Sequence, residues 1–229
     1  MREYIEKAKV LVEALPYIKE FNGITVVIKY GGSALINADI KKSIMQDVAL
    51  MKFVGFKPVV VHGGGPEINA ALLRFGMESR FVDGLRYTDG ETMEVVEMVL
   101  TGKLNKEITT DLILQGISAA GISGKDGATL TVEKLSPGGQ DIGLVGQITK
   151  VDTTLIKTMM DNDFVPVISP VGMDEKGQSY NINADHAAVA VAAALKAEKL
   201  VFLTDVEGVM KDRKDATTVC SRASASEIK

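Results

Sequence analysis

Val26-Val27-Ile28-Lys29-Tyr30-Gly31-Gly32-Ser33 and Val59-Val60-Val61-His62-Gly63-Gly64-Gly65-Pro66 are two β-branched runs that end in glycine turns. Runs of this composition suit buried parallel strands, and glycine lets backbone N–H groups come close to a ligand. Each turn leads into a helical pattern, which predicts that it sits at the positive end of a helix dipole, where anions bind. One such turn says little. Two in consecutive βα units, one with a lysine at the strand end, predict a site for a ligand carrying several negative charges, with phosphate the first expectation.

Working outward, the same rhythm recurs. Strands are expected over residues 24–29, 58–62, 164–169 and 199–204, and helices over about 39–53, 66–75, 153–161 and 184–195. A helical stretch over 90–115 is expected to break near Gly102, and 117–122 reads as a further strand. Residues 129–151 carry period-two patches around Ser136-Pro137-Gly138-Gly139, the pattern of a hairpin-like excursion. Residues 2–20 place Tyr4, Ala8, Leu11, Leu15 and Ile18 on one helical face, with a kink or early stop expected at Pro16. The alternation predicts an α/β fold, a three-layer αβα sandwich with a mostly parallel central sheet. Ligands in such sheets bind at the carboxyl ends of the strands, where both glycine turns lie.

Composition narrows the classes. A chain of 229 residues can bury a substantial core, as one large domain or two modest ones. A net charge of −4 argues against broad nucleic-acid binding, so counter-charges for an anionic ligand must be concentrated locally. The single cysteine, Cys220, excludes an intrachain disulfide and fits a reducing compartment. No run approaches the ~18 apolar residues of a membrane span, and the first residues mix acidic and basic side chains without an apolar core. Neither a membrane partner nor a signal peptide is expected, and the location expected is the cytoplasm.

Several side chains are candidates for chemistry. Lys29, at the end of an apolar strand, is either a cation aimed at a phosphoryl group or a snorkelling edge lysine. His62 opens a run also found in esterase oxyanion holes, but no Gly-x-Ser-x-Gly elbow is present, nor a P-loop or dinucleotide fingerprint. With two histidines and one cysteine, a histidine triad or a zinc site is not expected. Arg86, in the polar stretch Asp83-Gly84-Leu85-Arg86-Tyr87-Thr88, suits bidentate capture of a carboxylate or sits solvated on the surface. In Asn181-Ile182-Asn183-Ala184-Asp185, one polar residue is expected to be a helix N-cap, while the group can also face a site together. Leu203-Thr204-Asp205-Val206-Glu207-Gly208-Val209 is a third strand entering a glycine-bearing turn.

Taken together, IKYGGS, VVVHGGGPEIN, DGLRYT, SYNINADHAA and LTDVEGV resemble the amino acid kinase family, and within it the N-acetylglutamate kinases of arginine biosynthesis. The resemblance implies transfer of the γ-phosphoryl group of ATP, carried with Mg2+, to N-acetyl-L-glutamate, giving N-acetyl-L-glutamyl 5-phosphate. It implies that Lys29 is a transition-state lysine, that Asp185 organises the cationic groups, and that Gly31, Gly32 and Gly64 donate N–H groups to the phosphoryl oxygens. By the same likeness Gly64 and Gly65 line the acetylglutamate site, Arg86 binds the α-carboxylate and Asn181 contacts the acetylated end. Asp205, Gly208 and Met210 would begin the ATP pocket, and no dedicated metal ligands are expected. The N-terminal helix is similar to that of arginine-inhibited hexameric members, which implies a homodimer or hexamer and L-arginine as an effector of the full-length form. Residues 1–195 would then form the acetylglutamate-binding and oligomerising lobe. Residues 196–229 would begin an ATP-binding lobe that in the family runs on past Lys229 and supplies a second catalytic lysine. A non-catalytic acetylglutamate-binding or oligomerising fragment, and a kinase acting on another carboxylate or carbamate, are the competing expectations.

Overall fold

The computed structural model describes residues 2–32, 37–204, 208–210, 212, 215–224 and 226. In chain order, α1 (Arg2–Phe21), β1 (Thr25–Tyr30), α2 (Ala38–Phe53), β2 (Lys57–His62) and α3 (Gly65–Arg74) come first. A short hairpin, β3 (Phe81–Val82) and β4 (Leu85–Arg86), precedes one long helix built from α4 (Gly90–Glu97), a π-helical stretch (Met98–Leu104) and α5 (Asn105–Leu114). Then follow β5 (Ala119–Ser123), β6 (Leu130–Lys134), β7 (Gly146–Val151), α6 (Thr154–Asp161), β8 (Val165–Ser169), β9 (Val171–Met173), β10 (Ser179–Asn181), α7 (Ala184–Leu195) and β11 (Lys199–Phe202).

Five strands form one parallel sheet in the order β11-β1-β2-β8-β5. The chain leaves β1 toward β2 through α2, and leaves β8 in the opposite direction, through α7, to reach β11 on the far side of β1. Right-handed crossovers that travel in opposite directions place their helices on opposite faces and open a crevice at the carboxyl ends of the strands between them.

The core follows the strand alternation. Val26, Ile28 and Tyr30 pack with Met45, Val48, Leu100, Leu104 and Ile108 on the face of α2, α3 and α5. Val27, Val59 and Val61 point the other way, onto Ile156, Met160, Ala187 and Val191 of α6 and α7. Side chains of period two thus assign Lys29 to the α7 face, and His62 to the α5 face. The predicted hairpin is present as β6 paired antiparallel with β7, and it joins β9 and β10 in a second, four-stranded sheet that shares a core with α7. β9 and β10 carry three residues each, too short to announce themselves by periodicity.

Two local expectations are corrected. α1 continues through Pro16, whose missing N–H removes one bond from a 20-residue helix without ending it. The stretch over 90–115 does not break at Gly102; it widens into π-turns, and the N–H of Asn105 reaches back five residues to the carbonyl of Leu100. After Gly31-Gly32, α2 begins at Ala38, capped by the Asn37 side chain. The Gly63-Gly64-Gly65 turn runs directly into α3, with Pro66 in its first turn. Along α1, Tyr4, Leu11, Val12 and Leu15 stand exposed. Among the described residues, no helix is long and apolar enough to cross a membrane.

Candidate functional site

Parallel pairing sets the two glycine turns side by side. β1 and β2 run in register from Thr25 and Lys57 to Tyr30 and His62, and the Gly63 N–H then donates to the Tyr30 carbonyl at 2.8 Å. A Cβ built on Gly31 would stand 3.6 Å from the Gly63 nitrogen and 3.3 Å from the Lys29 ammonium nitrogen. One on Gly63 would lie 3.7 Å from the Ala184 methyl, at the start of α7. Both turns, Lys29 and the N-terminus of α7 therefore meet at one sheet end. The lysine side chain folds across Gly31, so a Cβ there would press on its ammonium end.

Lys29 is held there by Asp185, Nζ to Oδ1 3.0 Å, with the lysine side chain 14% exposed and the aspartate 53%. Asp185 sits in the first turn of α7, and Asn183 caps that helix by accepting from the N–H groups of Asp185 and His186 at 2.9 and 3.1 Å. Of the three polar residues there, Asn183 is thus the cap. Asn181 and Asp185 are left for other work.

Beside this cluster lies a cavity of about 170 Å³, lined by Gly63, Gly64, Gly65, Arg86, Asn181 and Ala184 among others. That is well under the ~300–1,000 Å³ of drug-sized pockets and suits a ligand of amino-acid size. Arg86 is buried rather than solvated, at 7% exposure. It lies on β4 of the hairpin, whose turn is Asp83-Gly84 with φ of 49° and 80°, so the stretch read as a polar loop is a two-residue hairpin. The guanidinium donates to Ser79 Oγ at 2.7 Å and to the Gly65 carbonyl at 3.3 Å, and lies over the Phe81 ring at 4.7 Å. Burial lowers its pKa, yet an arginine starts high enough to keep its charge. Among the described residues no carboxylate lies within ion-pair distance of it. A buried cation facing a cavity without a counter-ion calls for an anionic ligand. Asn181 reaches the same wall, its Nδ2 donating to Thr88 Oγ1 at 3.3 Å, and Thr88 Oγ1 in turn donates to the Arg86 carbonyl.

Gly64 is built into this wall. Its φ of 168° is extended backbone open to any residue, so its requirement is space. A Cβ there would meet Leu100 and Leu104 at 2.6 and 2.7 Å. Gly32 is the reverse case: φ is +69° and nothing stands within 4 Å of a built Cβ. His62 is fully buried and belongs to the core rather than to the cavity lining. Gly208 and Met210 do not line the cavity either; Met210 forms a bridge with Val219, and Val219 Cγ1 would be 3.3 Å from a Cβ on Gly208. They do follow the strand that pairs with β1, since the Leu203 N–H donates to the Lys29 carbonyl. Asp205 lies outside the described residues. Sequence reading missed Phe81 and Ser79, which seat the guanidinium, and Leu100. The Asp-Gly pair was a hairpin signal that could have found the first two; nothing local marks Leu100 as cavity lining.

The chain belongs to the amino acid kinase family, whose sequence profile matches residues 25–229. Within it, the chain is 56% identical over 225 residues to the acetylglutamate kinase of Desulforamulus reducens, covering 98% of this chain and 78% of that one. It is 52% identical to the acetylglutamate kinase of Symbiobacterium thermophilum, covering 100% and 80%. Among solved structures it is similar to the N-acetylglutamate synthase of Neisseria gonorrhoeae complexed with coenzyme A and N-acetyl-glutamate. That match has a TM-score of 0.76 and 26% identity, over 89% of this chain and 46% of the other.

Proposed function

We propose that these residues carry out, or form the acceptor-binding part of, an ATP-dependent acetylglutamate kinase of arginine biosynthesis. The observation that carries the reading is the buried Arg86, without an acidic partner among the described residues, in a cavity wall continuous with the turn beside Lys29. Identity above 50% to acetylglutamate kinases over nearly the whole chain supports it.

In this reading the α-carboxylate of N-acetyl-L-glutamate pairs with Arg86, and Asn181 contacts the acetylated end. The γ-carboxylate then approaches the terminal phosphorus of ATP in line. It is ionised at neutral pH and needs no general base. As its oxygen–phosphorus bond forms, the bond to the bridging oxygen of ADP breaks, and ADP leaves with that electron pair. Catalysis is then mostly positioning and charge neutralisation. Lys29 and the N–H groups of Gly31, Gly32 and Gly64 supply it, with Asp185 holding the ammonium in place. Mg2+ would arrive bound to the nucleotide and draw charge from its phosphates. Asp205, Gly208 and Met210 are assigned to the nucleotide side, residues 1–195 to the acceptor lobe, and 196–229 to the start of the nucleotide lobe. The exposed apolar side chains of α1 support self-association as a homodimer or hexamer. L-arginine is proposed as effector on the likeness of α1 to the helix of arginine-inhibited members.

Calorimetry with N-acetylglutamate and with ATP separately tests the assignment. Binding of both supports the kinase, whereas binding of the amino acid alone favours an acceptor-binding lobe. Trapping of the acyl phosphate as a hydroxamate, with acetylglutamate, glutamate, aspartate and carbamate in parallel, identifies the acceptor. Faster turnover of unacetylated glutamate would defeat the assignment.

A further inference from the structure

His62 is fully buried, and the reaction just described does not use it. Its ring nevertheless touches the turn that does. Nδ1 lies 2.8 Å from the Gly63 carbonyl oxygen, and Nε2 lies 3.2 Å from Asn105 Nδ2. A carbonyl can only accept, so Nδ1 must carry the hydrogen. Asn105 Nδ2 also faces the carbonyls of Val167 and Ile122, at 2.9 and 3.3 Å, while its Oδ1 accepts from the Lys106 ammonium at 3.1 Å. Those partners fix the amide with its nitrogen toward the ring, so Nε2 is the acceptor. Both ends of the imidazole specify the same neutral tautomer.

The Gly63–Gly64 peptide is trans, so the Gly64 N–H points opposite to the Gly63 C=O. With the carbonyl drawn toward the core by His62, the N–H faces the cavity that Gly63, Gly64 and Gly65 line. Among the described residues, no protein acceptor takes that N–H. Leu100 and Leu104 occupy the space that a Cβ on Gly64 would need, so both leucines pack close to its α-carbon.

We propose that His62 is a positioning residue for the proposed phosphoryl transfer: Asn105 locks its tautomer, and its Nδ1–H turns the Gly63–Gly64 peptide so that the Gly64 amide donates to the ligand's oxyanion. The inference rests on the kinase reading for what that oxyanion is. Burial, opposed in part by the Gly63 hydrogen bond and assisted by the Lys106 charge, pushes the imidazole down to about 4, so the ring is neutral at neutral pH. A positive charge there would serve the reaction less well than the aimed dipole, because the ring lies behind the peptide and away from the ligand.

The test uses the intact chain. Nitrogen-15 NMR of the unaltered protein is expected to show a protonated Nδ1 and an unprotonated Nε2; the opposite tautomer, or an imidazolium, overturns the proposal without touching the kinase reading. His62→Asn keeps a donor at the Nδ1 position, whereas His62→Gln keeps only the atom that meets Asn105. On titration with N-acetylglutamate, the Gly64 amide proton is expected to move downfield in the unaltered protein and in His62→Asn, and to lose that response in His62→Gln. In turnover, His62→Gln is expected to lose roughly ten- to a hundredfold in kcat with little change in KM, less than the ~10²–10³ of a deleted donor because the amide is misaimed rather than absent. His62→Asn recovers most of that loss. Equal behaviour of the two variants shows a merely structural histidine. Failure of N-acetylglutamate to bind the unaltered protein overturns the kinase reading instead, and the tautomer still judges the device by itself.

Discussion

Gly32 and Gly64 each follow a buried parallel strand by two residues, yet glycine is required for opposite reasons. At Gly32 the backbone takes a φ of +69° and the space above it is open. At Gly64 the backbone is extended and two leucine side chains occupy the space a Cβ would need. The end of β1 is thus a conformational turn beside a half-open ion pair, and the end of β2 a packed one, held by His62, Leu100, Leu104 and the Arg86 contact to Gly65. A dense wall on one side and an open rim on the other suits a small acceptor that must be held still and a polyanion that must come and go.

Substitutions at the two ends should separate along these lines. The largest effect is expected at the open end: Lys29→Ala lowers turnover about 10²–10³-fold with acetylglutamate affinity nearly unchanged, read by steady-state kinetics and calorimetry. A large loss of affinity at near-normal turnover would place Lys29 in the acceptor pocket and erase the contrast.

At the packed end, acid should loosen the protein through His62. Its pKa is about 4 folded against ~6.5 unfolded, so the unfolded chain binds the proton more readily. The associated stability is fully present above pH 6.5 and is lost as pH falls from there toward 4, roughly 3 kcal/mol in all. Urea unfolding of His62→Asn and the unaltered protein across that window isolates the contribution. A slope that persists unchanged in the variant assigns it to other groups.

Gly64→Ala overpacks Leu100 and Leu104 and should cost about 1–3 kcal/mol by denaturant midpoint. Arg86→Lys should weaken acetylglutamate about tenfold at nearly constant kcat, because a point charge cannot reproduce the planar fork. Gly32→Ala meets no atoms, so only the left-handed backbone resists it, by about 1 kcal/mol. If it instead unfolds the protein as strongly as Gly64→Ala, the two turns do not differ as described.

Much of this was legible in the sequence, because strand composition and glycine spacing are local signals. The βα order, α7 over Ala184–Leu195 and the β6–β7 hairpin follow from patterns within a dozen residues. The convergence of Lys29, Arg86, Asn181 and Asp185 on one sheet end was expected from likeness to a family, and the sheet order is what brings it about. Not legible were features that depend on distant partners. Arg86 reads equally as a carboxylate clamp or a solvated side chain until Phe81 and Gly65 enclose it, and His62 looks like a discarded catalytic residue until Asn105, 43 positions on, meets its far nitrogen.

The π-turns from Met98 to Leu104 have a reach beyond their length. Each residue of an α-helix advances about 100°, so a widened stretch resets the phase of everything after it. Leu100, within that stretch, faces the cavity, and Asn105 faces the imidazole at its end. Because the Asn105 N–H reaches Leu100 across five residues, the widened turn absorbs one extra residue and lets both side chains keep their faces. Wound at α-helical pitch with every residue kept, the same stretch would carry Asn105 past the imidazole, and the amide in the turn after β2 would lose its aim.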